Sequence, residues 1–149
     1  MSLFDIVSED IKKAMLAKEK EKLEALRAVK TAFLLARTES GAGGQLTPEA
    51  ELKIVQKLVK QRRESAEIYQ QQSRQDLADK ELIEASVIEQ YLPAQMSEQE
   101  LETVLKAIID RVGAKAPSDM GKVMGVATKE LSGKADGKAI STKVKQLLS

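Results

Sequence analysis

Seven lysines follow Gly113, and their ammonium groups are the side chains of this sequence best suited to binding an anionic partner. Each can neutralise a phosphate and release its counterions, which gives affinity that does not depend on base sequence. The segment has no aromatic side chain on which bases could stack, so we predict recognition of a folded RNA by its shape and backbone. A solvated helix surface remains the alternative interpretation. The lysines are Lys115, Lys122, Lys129, Lys134, Lys138, Lys143 and Lys145.

Two glycines lie among these lysines, at positions where the pattern predicts a helix. Glycine inside a helix costs about 1 kcal/mol relative to alanine, so each needs a reason. Gly121, beside Lys122, fits two interpretations equally: close helix packing, or close approach of an RNA phosphate to the backbone. For Gly125 we predict close packing against a neighbouring helix.

Composition excludes most familiar catalytic sites. The 149 residues include no histidine and no cysteine, so a disulfide, a cysteine nucleophile and a Ser-His-Asp triad are impossible. A zinc site would need carboxylates alone, which is unusual for structural zinc. We predict no catalytic residues, no cofactor and no metal.

Two other charged clusters have structural interpretations. Arg63 and Glu67 lie four residues apart on a predicted helix, as do Lys60 and Glu64, and such pairs stabilise a helix surface. RNA contact by the basic members, which include Lys57 and Arg62, is the less favoured interpretation. An acidic stretch lacks the histidine of a di-iron site, so we predict a solvated acidic surface. It contains Asp76, Asp79, Glu81, Glu84 and Glu89.

The near-neutral total charge conceals an uneven distribution. The chain has 24 basic and 23 acidic residues. Residues 1–75 carry net +3, residues 76–112 carry net −6, and residues 113–149 carry net +4. An acidic middle beside a basic end would orient a bound RNA towards the basic end.

Hydrophobic residues recur at helical spacing throughout, so we predict an all-α fold. About four helices precede Pro93 and three shorter helices follow it, which gives two helical subdomains, residues 1–93 and 94–149. A glycine-rich loop is predicted at residues 39–45. Apolar stripes predict inward-facing side chains, among them Met15, Leu34 and Ile83.

Several residues mark predicted helix ends. Thr47 and Ser97 are suited to N-caps, with Glu100 completing a capping box after Ser97. Gly113 and Gly133 are suited to helix C-termini, and Asp136 to the last N-cap. Ser118 or Asp119 is expected to cap the helix between them, and the Tyr91-Leu92-Pro93 joint to serve as a hinge or packing element.

The cellular location is predicted from the absence of a membrane span, a secretory signal and cysteine. No apolar run reaches the roughly 18–20 residues that a membrane span needs. The first residues carry Asp5 early and do not resemble a secretory signal. With no cysteine in the chain, these features predict a cytoplasmic protein.

Four short segments carry a family resemblance. The stretch EQYLPAQM at residues 89–96 resembles the YLP-x-Q joint of the GatB/YqeY family. MGKVM at residues 120–124 and GKADG at residues 133–137 resemble two further segments of that family, and KQRRES at residues 60–65 also fits. The chain length is similar to that of the stand-alone YqeY-like members.

The resemblance implies a function in RNA binding. In the family, the same module forms the C-terminal tail of the much larger GatB chain of aspartyl/glutamyl-tRNA amidotransferase, where it helps to hold tRNA, and it is attached to some glutaminyl-tRNA synthetases. We therefore predict a tRNA-binding accessory module, non-catalytic by itself, whose tRNA contacts are the seven lysines and Gly121.

Two alternatives to that function stay open. One is a component of amidotransferase activity, because the family carries the label of a carbon–nitrogen ligase with glutamine as amido donor, although no active site is evident in this chain. The other is a protein-interaction module that docks an aminoacyl-tRNA synthetase or an amidotransferase.

Overall fold

The computed structural model describes residues 1–39 and 44–149, and within those residues the regular elements are helices, which confirms the all-α class. The chain divides into two units, Met1–Leu92 (unit 1) and Pro93–Ser149 (unit 2), each with a hydrophobic core of its own. No helix of the described residues is both long enough and apolar enough to cross a membrane.

Unit 1 consists of four helices around one apolar core. These are α1 (Leu3–Ala17), α2 (Lys20–Glu39), α3 (Pro48–Gln71) and α4 (Gln75–Glu89). The helix start predicted at Thr47 is confirmed, since its hydroxyl accepts the Ala50 N–H at 3.1 Å. The buried core comprises Val7, Ala14, Ala25, Leu26, Val29, Phe33, Val55, Val59, Ala85 and Ile88.

The start of α1 is held by two carboxylates. Ser2 and Asp5 form a reciprocal capping box, and the Glu51 carboxylate of α3 accepts the Phe4 N–H at 3.0 Å. Glu51 is only 3% exposed, and its second oxygen lies 3.4 Å from the Leu3 nitrogen. A buried carboxylate is tolerated here because it satisfies N–H groups that the first turn of a helix leaves unpaired.

The end of α4 is tied back to α1 by Tyr91. Its hydroxyl donates to the Asp10 carboxylate at 2.6 Å. Partial burial, with this hydrogen bond adding to it, raises the pKa of the Tyr91 phenol. Tyr91 is therefore a packing element of unit 1, as the sequence predicts.

One ion pair joins the charged side chains of α3 and α4. Arg63 pairs with Glu89, so the expected pairing with Glu67 is wrong. Burial raises the pKa of Glu84, and the charge of Arg62 opposes that shift. No three carboxylates of the described residues are grouped closely enough to hold a metal ion.

Three side chains predicted to face inward are instead exposed. Met15, Leu34 and Ile83 have 53%, 46% and 42% of their surface accessible. Ile83 follows Ala78 by five residues and precedes Ile88 by five, which places it about 140° around the helix from both of these buried neighbours. Of the loop predicted at 39–45, residues 40–43 lie outside the described part of the chain.

Unit 2 consists of three helices and a short 3₁₀ turn. Helix α5 (Glu98–Val112) is followed by the turn (Pro117–Asp119), then by α6 (Met120–Glu130) and α7 (Gly137–Leu148). Gly113 ends α5 with φ +72°, a conformation that favours glycine. The predicted apolar faces are confirmed, and the buried core comprises Leu101, Leu105, Ile108, Ala114, Val123, Ala127, Leu131, Ile140, Val144 and Leu148.

We expect Tyr91→Phe to destabilise unit 1 by about 1 kcal/mol at neutral pH, because it leaves Asp10 without its hydroxyl donor. Urea unfolding followed by circular dichroism measures the change. Tyr69→Phe is the matched control, and equal effects of the two substitutions would contradict the assigned role of the Tyr91–Asp10 bond.

The same substitution has a predicted alkaline signature. The pKa of Tyr91 is higher in the folded than in the unfolded chain, so its contribution is complete below about pH 10 and is lost as pH rises further. The difference in free energy of unfolding between the native chain and Tyr91→Phe should therefore shrink above that pH. A difference that stays constant from pH 7 to strongly alkaline pH would exclude this linkage.

Candidate nucleic-acid interface

The turn that precedes α6 is fixed by one carboxylate. Asp119 accepts the backbone N–H groups of Lys115 and Ala116 at 3.0 and 3.2 Å. These two hydrogen bonds lower the pKa of Asp119, and the charge of Lys122 adds to the effect. Asp119 makes no side-chain capping bond to α6, so it caps the loop before it and not, as expected, the helix after it.

A set of three hydrogen bonds, here called the Gln95 clasp, joins the start of unit 2 to the turn before α7. The Gln95 amide donates to the carbonyl of Pro93 at 2.8 Å and to that of Gly133 at 2.7 Å. Next to it, the Met96 N–H donates to the Lys134 carbonyl at 3.0 Å. Gly133 is buried with φ +79°, as its sequence predicts. Asp136 occupies the predicted N-cap position of α7, but its side chain makes no capping hydrogen bond to that helix.

The contact between Gln95 and Gly133 could not be predicted from the sequence. Gln95 and Gly133 are 38 residues apart, and neither residue alone indicates a contact. Both residues do lie in segments that carry the family resemblance, residues 89–96 and 133–137.

Six of the seven predicted lysines present exposed side chains. The exception is Lys143, whose ammonium group lies 3.2 Å from the Glu98 carboxylate and whose side chain is 14% exposed. Among the described residues, it is the one lysine of the seven held in an ion pair. The exposed six are Lys115, Lys122, Lys129, Lys134, Lys138 and Lys145.

The fold places these lysines in small sets, two of which share Lys138. Lys122 and Lys129 are seven residues apart on α6, so they share one face with about 10 Å between them along the axis. Lys138 and Lys145 have the same spacing on α7. A third set lines a groove within unit 2, and Lys115 stands apart in the loop before the 3₁₀ turn. The lysines of the groove are Lys134, Lys138 and Lys143.

Gly121 and Gly125 occupy an open face of α6. Both are exposed, and a Cβ placed on either would meet no described atom within 4 Å outside the helix backbone. The predicted close packing of Gly125 against a neighbouring helix is therefore wrong, because unit 2 places no helix there. The same observation removes the packing interpretation of Gly121 within this unit.

Comparison with known proteins agrees with the resemblance. The model of the family described as "Yqey-like protein" matches residues 4–148. The protein "Altered inheritance of mitochondria protein 41, mitochondrial" of Clavispora lusitaniae is 31% identical over 88% of this chain and 75% of its own length. The proteins of the same name from Saccharomyces cerevisiae and Pyrenophora tritici-repentis are 31% and 26% identical, over 91% and 93% of this chain and 71% and 77% of their own lengths.

The names of these relatives contradict the cytoplasmic prediction, since each is named as a mitochondrial protein. The physical reason is that the sequence features behind the prediction do not separate those two locations. A lack of cysteine and of a secretory signal suits a mitochondrial protein as well as a cytoplasmic one.

We expect Gly125→Ala to stabilise unit 2 by about 1 kcal/mol, because it removes the cost of a mid-helix glycine without creating a clash. Gly121→Ala, in the first turn, should give a smaller gain of the same sign. Thermal unfolding measures both, and Gly113→Ala is the opposite control, since its positive φ makes a side chain unfavourable. A loss of stability in Gly125→Ala would restore the packing explanation.

Proposed function

The chain belongs to the YqeY-like protein family, and from that premise we propose that it is a non-catalytic accessory module that binds tRNA through unit 2. The observation that carries the proposal is the set of six exposed lysines on one small helical unit, with only Lys143 of the seven engaged by a carboxylate of the described chain. Ammonium groups left unpaired by the fold can take phosphate partners without first breaking an internal ion pair.

The chemistry of unit 2 favours the RNA backbone over the bases as the principal contact. Residues 93–149 contain no phenylalanine, tyrosine or tryptophan, so no aromatic platform for base stacking is present. Lysine is a compact point charge that binds phosphate without the planar fork of donors that arginine presents. Such a surface fits a folded RNA, in which phosphates from distant nucleotides are displayed together.

Three of the seven carboxylates of unit 2 are clustered at the start of α5. Glu98, Glu100 and Glu102 all lie in the first two turns of α5, whereas α6 and α7 carry most of the lysines. Repulsion of phosphate by the start of α5 would direct the RNA towards the exposed faces of α6 and α7. The open face at Gly121 and Gly125 allows an RNA strand to approach the α6 backbone closely.

If the chain binds tRNA through these lysines, the logarithm of the association constant should fall linearly with the logarithm of the salt concentration. The double substitution Lys122→Gln/Lys129→Gln should reduce the magnitude of the salt slope by about 2, because each lysine accounts for about one released counterion. Fluorescence anisotropy of labelled tRNA, titrated at several salt concentrations, measures the slope.

The matched control is Lys12→Gln/Lys13→Gln, which removes two exposed lysines from α1 of unit 1. Its net charge change is the same, so an equal loss of affinity would show that only total charge matters. Absence of tRNA binding at low salt would overturn the proposal. Binding of a purified synthetase or amidotransferase, with no binding of tRNA, would replace it by the protein-interaction alternative.

A further inference from the structure

A groove within unit 2 has the size and the mixed lining of a small-ligand site. It lies between the start of α5, the turn that contains Lys134, and α7, and its volume is about 490 Å³. Ligand pockets span roughly 300–1,000 Å³ and combine apolar walls with a few placed polar groups. Here Met96, Leu101 and Ala139 supply apolar surface, and Lys134, Lys138 and Lys143 supply cations.

The cation deepest in this groove is Lys143. Its side chain is 14% exposed, whereas its partner Glu98 is 85% exposed. A carboxylate that remains in water is strongly screened and gains little from such a pair. An anionic ligand that enters the groove can therefore replace Glu98 as the partner of Lys143 at small cost.

The start of α7 adds to the positive potential of the same groove. The helix begins at Gly137, directly before Lys138, and its first N–H groups carry the positive end of the helix dipole. Gly137 is exposed, and apart from its chain neighbours and the backbone of α7 no described atom lies within 4 Å of a Cβ placed on it. The Asp136 carboxylate also lines the groove, which leaves three lysines against two carboxylates.

We propose that this groove binds one nucleotide, with its phosphate between Lys138 and Lys143 and its base against the apolar surface of Met96 and Leu101. Phosphate satisfies the lysines, while the flat base covers carbon atoms without needing an aromatic partner. The inference extends the proposed function, because the nucleotide belongs either to an unpaired end of the bound RNA or to a free nucleoside monophosphate.

The first test titrates the full chain with AMP and with inorganic phosphate, followed by NMR chemical shifts of the backbone amides. AMP should bind about tenfold more tightly than phosphate, because only AMP covers apolar surface. The shifted amides should lie at Met96, Lys134, Lys138 and Lys143. Equal affinities for the two ligands, or shifts elsewhere, would overturn the nucleotide assignment.

Substitutions should move the AMP affinity in opposite directions. Glu98→Gln frees Lys143 and removes a repulsive charge, so it should tighten binding several-fold, whereas Lys138→Gln should weaken it about tenfold. Lys143→Gln should also weaken binding. If that substitution disturbs folding because Lys143 is largely buried, Lys138→Gln still tests the site, since Lys138 is exposed.

Charge-matched controls are Glu102→Gln on α5 and Lys145→Gln on α7, neither of which lines the groove. If the control substitutions change the AMP affinity as much as the groove substitutions do, the groove is not the AMP-binding site.

RNA hairpins distinguish the source of the nucleotide. If RNA supplies it, a hairpin with unpaired 3′ nucleotides should bind more tightly than a blunt hairpin, and Lys138→Gln should abolish the difference. If free nucleotide is the ligand, AMP binds but the two hairpins bind equally. If a blunt hairpin binds in a salt-dependent way, but AMP does not bind and unpaired nucleotides do not improve binding, the groove site is rejected and the proposed function is retained. If AMP binds but no RNA binds, the groove site is retained and the proposed function is rejected.

Discussion

The side-chain amide of Gln95 holds together the part of unit 2 that forms its lysine-lined groove. Gln95 donates to two carbonyls, one in its own segment and one at Gly133, and the adjacent Met96–Lys134 backbone bond runs alongside. Both carbonyls belong to irregular backbone, which has no helix ladder to satisfy it. By pairing them, the clasp fixes the start of α5 against the turn that leads into α7. The groove and three of its lysines lie around this junction.

The core of unit 2 contains no aromatic residue. Leucine, isoleucine, valine and alanine fill the interior, so each of the three helices buries a narrow apolar stripe. The other faces of α6 and α7 then carry lysines and glycines that no packing contact explains. Exposed glycines in a helix reduce stability, and a folded domain retains such residues most readily where function compensates.

Local features of the structure could be predicted from the sequence, because a few neighbouring residues determine them. The caps at Thr47 and Ser97 and the left-handed glycines at 113 and 133 follow from the hydrogen bonds and φ angles that helix ends require. The buried faces of α5 to α7 follow from periodicity. Ile83 fails because α4 is apolar on more than one side, whereas Val87, Ile88 and Tyr91, the other members of its predicted stripe, do pack against the core.

Contacts between distant residues could not be predicted in the same way. Glu51 meets the start of α1 from 47 residues away, and Tyr91 reaches Asp10 across 81. Each depends on where helix packing places two side chains, which no local pattern encodes. The candidate site has the same limit: the lysines are visible in the sequence, but the pairing of Lys143 with Glu98 and the open face at Gly125 are not.

These long-range contacts also explain why the two units carry charge differently. In unit 1, Glu51 completes a helix terminus, Asp10 accepts from Tyr91, and Arg63 pairs with Glu89, so these charges hold helices to one another. A charge used in this way is not free to bind a ligand unless the internal contact breaks. In unit 2, Arg111 pairs with Glu130 and Lys143 pairs with Glu98, but the six exposed lysines named above make no such ion pair within the described residues. These six remain available to a partner, and binding to them need not break a contact that holds the fold.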